Sequence, residues 1–179
     1  MSTDQTSLPP PPSYVHTLYD ETFRSRTFQN PSIMSMANAP NLIGRLEYHS
    51  PTTDGSFSIC IAGGEGAFVS KALYESIPAE HRPTLDEGSA EETVDTLTVG
   101  NLKPIGSVFF PIILTNKETR QPFRIILRAL VVPNLFMGMF IGNEGHSGIV
   151  AYEAWSRGGP TWGFNFNDDP DNLVFVQGC

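Results

Sequence analysis

Short runs of Val, Ile, Phe and Leu are broken along this chain by glycine and proline, 16 and 15 of them scattered through 179 residues. Glycine loses too much entropy and proline lacks the N–H for a helix interior, whereas short apolar runs bounded by these residues suit strands. The chain is therefore expected to be mostly β, with one or two short helices. Its length is that of one domain with room for extensions, long enough to bury a core without disulfide or metal staples. Hydrophobic residues make up 40% and charged residues 17%, too apolar for a disordered chain. No apolar run approaches the ~20 residues of a membrane span.

Eleven Lys and Arg against 19 Asp and Glu leave a net charge of −8, which works against a phosphate backbone. Neither nucleic acid nor a membrane is expected as a partner. Cys60, inside an apolar run, and Cys179, the last residue, do not make the framework of a small secreted scaffold and are expected to be free thiols. Residues 1–13 lack the charged and apolar regions of a signal peptide, and the triplet Asn30-Pro31-Ser32 has proline in the position that blocks glycosylation, so a cytoplasmic, intracellular protein is expected. His16, His49, His81 and His146 lie far apart, and neither a metal nor a cofactor is indicated.

Residues 1–13, with Pro9 to Pro12, read as a disordered or clamped polyproline tail, with a proline-rich ligand as the sharper alternative. Residues 14–41 carry Tyr14, Tyr19, Phe23 and Phe28 among Asn, Pro and Ser, and read as an irregular arm packed on a body formed by residues 42–179. Within the body, 42–48 and 57–62 form a hairpin closed near Asp54-Gly55. Ser70 caps a short helix that Ile77-Pro78 ends. Residues 80–92 form an acidic loop, and 94–99 pairs with 105–114 as a second hairpin around Gly100-Asn101. Strands over 123–132 and 136–141 are separated by Pro133-Asn134, and the tail from Gly148 mixes turns with a final apolar run, 173–176.

Three segments, in order, resemble the retropepsins, the aspartic protease subunits of retroviruses and long-terminal-repeat retrotransposons. The segment Ser58-Ile59-Cys60-Ile61-Ala62-Gly63-Gly64-Glu65-Gly66-Ala67-Phe68-Val69-Ser70 is similar to the family's apolar strand, Asp-Thr/Ser-Gly-Ala turn and following strand. Residues 98–108, with Gly100 and Gly106, look like the flap hairpin, which would include Asn101, Lys103 and Ile105. Leu130-Val131-Val132-Pro133-Asn134-Leu135 through Phe140-Ile141-Gly142 resembles the segment that closes the family's psi-shaped loop. The resemblance spans residues 42–144. It implies a small closed β-barrel of retropepsin type, homodimeric, each copy supplying half of one cleft.

The resemblance also exposes a departure. Counting back from Phe68-Val69-Ser70, the family's catalytic Asp falls on Ile61, its Thr/Ser on Ala62 and its Gly on Gly63. Aspartic proteases need two carboxylates sharing a proton, one as base on water and one as acid on the carbonyl, and isoleucine does neither. Thr53-Asp54-Gly55-Ser56 resembles a displaced motif but lies in turn sequence. Glu65, four residues after Ile61, is at a family position on the cleft rim and is the one candidate for acid–base work, with a plain rim carboxylate as the alternative.

Three readings follow. In the first, the cleft binds or transforms an apolar small molecule, as a binder or a non-hydrolytic enzyme of isomerase, cyclase or lyase type, with Ile61 at the floor and Gly63, Gly64, Glu65, Met137, Met139 and Phe140 around it. In the second, flap and floor hold an extended peptide without cutting it. In the third, Glu65 sustains a residual protease activity.

Overall fold

The structure, a computed structural model, describes residues 32–33, 41–62, 64–91, 94–96, 102–142, 150–156, 159–165 and 173–177. Its centre is a closed barrel of six strands. In chain order these are β2 (Asn41–Leu46), β3 (Ser56–Ala62), β5 (Ala67–Ser70), β7 (Gly106–Thr115), β8 (Pro122–Val132) and β9 (Met139–Gly142). The mostly β expectation and the closed barrel both hold. Short strands β1 (Ser32–Ile33), β4 (Gly64–Glu65) and β6 (Asp95–Thr96) form a second sheet, and β10 (Val150–Ser156), β11 (Gly159–Asn165) and β12 (Leu173–Gln177) a third.

The first hairpin forms as the sequence implies. Asp54 Oδ1 accepts from the Ser56 amide at 3.0 Å, Gly55 takes a left-handed φ of 69°, and Leu46 N–H donates to the Gly55 carbonyl at 2.9 Å, closing the loop between β2 and β3. The short helix also forms: α1 (Lys71–Ser76) starts where Ser70 Oγ accepts from the Leu73 amide at 3.1 Å and stops at Ile77, ahead of Pro78.

The second hairpin differs. Among the described residues Val94 bridges to Leu102, through Val94 N–H to Leu102 O at 3.0 Å and Leu102 N–H to Val94 O at 2.9 Å, and 97–99 lie outside the described residues, while β7 pairs with β8 along ten consecutive positions. A ten-residue strand needs a partner of like length, and β8 supplies one through a tight turn. There Asn116 Oδ1 caps the Glu118 and Thr119 amides at 2.8 and 3.0 Å and Arg120 takes a φ of 60°. The strand expected over 136–141 begins only at Met139. Phe136 is 76% exposed, while Leu135 and Met137 turn back onto the outer side of the sheet. The tail's final apolar run forms β12, as expected, while two further strands before it complete the antiparallel sheet β10–β11–β12; Gly159, Pro160 and Gly163 within β11 mask its strand pattern.

Alternation sorts the barrel's side chains onto two apolar layers. Leu42, Ile59, Ile61, Val69, Phe110, Ile112, Ile125, Leu127, Met139 and Ile141 fill the interior, each at most 1% exposed save Leu127 at 2%. Cys60, Phe68, Leu130, Val132 and Phe140 face outwards and are covered by Val94, Leu102, Leu135 and Met137. Val94, Leu102 and the loop before β9 are therefore held on the barrel by hydrophobic burial, about 1.5–3 kcal/mol for each large side chain removed from water.

Candidate functional site

The register around β9 organises the site. β9 lies between β3 and β5, parallel to the first and antiparallel to the second, although β3 and β5 are neighbours along the chain but for β4. Ile61 stands opposite Ile141, Ala62 opposite Gly142, and Gly142 N–H donates to the Gly66 carbonyl at 2.8 Å. Gly66, with a φ of 90°, gives the turn before β5 a conformation that a residue with a Cβ adopts only with strain. Residues 64–65 are thereby fixed at the end of β3, beside the barrel rather than within it.

β4 is held there by a partner far away in sequence. Ser32 lies opposite Glu65 and Ile33 opposite Gly64 in antiparallel register, and the same two residues lie opposite Asp95 and Thr96 in parallel register. β1 is thus the middle strand of three, flanked by the residues after β3 and by residues 95–96, which precede the segment the sequence marks as the flap. The approach to β6 is anchored by a polar knot: Ser89, in a 3-10 turn (Glu87–Glu91), and Ser107, both buried, share a hydroxyl contact of 2.9 Å, and Arg128 Nη2 donates to Ser89 Oγ at 3.0 Å. Backbone bonds between Asp86 and Ser107, at 2.8 and 2.9 Å, tie the same turn to β7.

The residues singled out in the sequence divide into three groups. Ile61, Met139 and Phe140 come together at the β3–β9 pairing, each at most 1% exposed in this chain; Ile61 and Met139 belong to the interior and Phe140 packs on Phe68 with ring centroids 5.7 Å apart. Met137 is half-buried against that outer cluster. Gly64 and Glu65 form β4, where their backbone pairs with β1; the Glu65 side chain, Gly63, Gly100 and Asn101 lie outside the described residues. Lys103 is exposed, and Ile105 packs against the interior cluster while its N–H donates to the Val131 carbonyl at 2.9 Å.

Asp54 sits in the exposed β2–β3 loop, at the opposite end of β3 from Ile61, and its carboxyl is held below the usual range by the Ser56 amide. That is turn chemistry, as its sequence setting implies. Cys60 is buried against the outer layer, and desolvation pushes its thiol up to about 11. Among the described residues no group of three His, Cys, Asp or Glu is placed to hold a metal ion, and no helix is long and apolar enough to cross a membrane.

Sequence reasoning did not find β1 as part of the site. A two-residue strand carries no periodicity, and Ser32-Ile33 beside Pro31 reads as loop. Comparison of the chain with family models, with curated proteins and with solved structures finds no match.

Proposed function

We propose that the chain is a retropepsin-like domain that has lost peptide-bond hydrolysis and binds an extended peptide by strand addition between residues 64–65 and 95–96. The observation that carries this reading is that β4 and β6 lie one strand apart and hold an extended backbone between them, with pairing on both sides. Main-chain bonds supply affinity in this mode and are indifferent to the peptide's side chains, as suits a binder that positions without reacting. The seating of β9 between β3 and β5 supports the retropepsin resemblance, and Ile61 at the place of the catalytic aspartate removes the proton chemistry. On the same reading the chain pairs with a second copy, each providing half of a cleft.

The small-molecule pocket is the weaker reading, because Ile61, Met139 and Phe140 are spent on packing within one chain. The test is incubation of the full chain with a labelled synthetic peptide of residues 27–38 at up to millimolar concentration, from about pH 3 to 7, the range in which carboxylate pairs share a proton. Saturable binding with the peptide mass unchanged is expected. Failure to bind both the full chain and an Ile33→Pro variant, whose own pairing at 32–33 is weakened, contradicts strand addition, and cleavage that disappears in Glu65→Gln supports the residual protease instead.

A further inference from the structure

On the strand-addition reading, the slot that would receive a peptide is already filled by the chain itself. Neighbouring strands lie about 4.8 Å apart, so β4 and β6 flank a gap of about 9.6 Å that only an extended backbone spans with bonds on both sides. Without β1, two facing edges would carry unpaired N–H and C=O groups, which is an unfavourable state to leave open.

The resident strand has two features of a replaceable one. It is only two residues long, so few ladder bonds hold it. It also puts a neutral residue in register with two acidic ones: the register partner of Ser32 is Glu65 on one side and Asp95 on the other. Cross-strand partners of opposite charge stabilise a sheet and like charges destabilise it, so position 32 favours a basic residue that this chain does not supply.

We propose that Ser32–Ile33 is an exchangeable plug, displaced by an extended peptide that carries Lys or Arg at the register position of Ser32 and runs antiparallel to residues 64–65 and parallel to residues 95–96. The inference rests on the strand-addition reading. Residues 34–40 link the plug to β2, and linkers of such length give an effective concentration on the order of millimolar. A plug whose own intrinsic dissociation constant is ~10 µM then weakens every competing peptide about 100-fold relative to an open slot.

The test compares the full chain with Ile33→Pro, which removes an N–H from the middle strand while leaving every barrel residue in place. The probes are the peptide of residues 27–38 and its Ser32→Lys and Ser32→Glu forms, read by fluorescence anisotropy at low and at 0.5 M ionic strength. The Lys form is expected to bind Ile33→Pro at least 10-fold more tightly than wild type. On both proteins it should bind severalfold more tightly than the Glu form, the difference shrinking in salt. Equal affinity for the two proteins overturns the plug, and equal affinity of the Lys and Glu forms overturns the acidic slot. Binding to neither protein overturns the strand-addition reading beneath both. Should Ile33→Pro lose the far-ultraviolet signature of the barrel, the double variant Ser32→Gly/Ile33→Gly weakens the strand without blocking it and carries the same expectations.

Discussion

Ile61 faces Ile141 across the parallel junction of β3 and β9, and neither is more than 1% exposed. Where the retropepsin resemblance calls for a carboxylate, the barrel holds a hydrocarbon packed on a hydrocarbon. Truncation to Ile61→Ala removes those contacts and leaves a cavity, at a cost of about 2–4 kcal/mol. Ile61→Asp buries an unpaired charge as well and is expected to cost more. Urea unfolding reads both, and a loss below about 1 kcal/mol for the alanine variant would contradict the interior placement of Ile61.

Gly106 begins β7 where the acidic turn is stitched to it. A Cβ there would meet the Asp86 carbonyl oxygen at 2.6 Å, and the backbone φ of 155° is one that residues other than glycine rarely adopt. The neighbour is backbone, itself bonded to Ser107, and has little room to move. Gly106→Ala should therefore cost about 2–3 kcal/mol and lower the melting temperature by several degrees. Calorimetry showing no change would contradict the tight seating of this turn.

The sequence was most legible where one local device fixes the structure. Asp54-Gly55 carries its own turn chemistry, and Ser70 and Pro78 mark the two ends of α1, so these elements lie where the residues place them. Pairing between distant segments was not legible, because it is decided by which partner matches in length and closes with least loop. Residues 94–99 look as strand-like as 123–132, yet it is β8 that pairs along the whole of β7, and nothing local says so. For the site, the apolar positions at 61, 139 and 140 were found, and they meet where β3 pairs with β9, Ile61 opposite Ile141, Met139 opposite Ile59 and Phe140 opposite Cys60. The strand that fills the slot was missed, since two residues drawn from an arm of Asn, Pro and Ser carry no pattern.

Cys60 ties stability to alkaline pH. Burial raises the thiol to about 11 in the folded chain, above its value when unfolded, so its contribution is complete below the unfolded value, near 8.5–9, and is lost as pH rises from there towards 11. The stability advantage of wild type over Cys60→Ala should narrow between pH 9 and 11 by up to about 1.4 kcal/mol per pH unit. Urea melts at neutral and alkaline pH read the difference, and a constant advantage would contradict a thiol kept neutral by burial. The same burial predicts slow alkylation by iodoacetamide at pH 8 in the folded state and fast alkylation in urea.

The most direct measurement is amide hydrogen exchange, resolved to the segments around residues 64–65 and 95–96, in the full chain and in Ile33→Pro. The account predicts that both segments are protected in the wild type and become fast together in the variant, while 59–61 and 139–141 in the barrel stay slow in both. Equally fast exchange of 64–65 and 95–96 in the two proteins would contradict a slot filled by Ser32–Ile33.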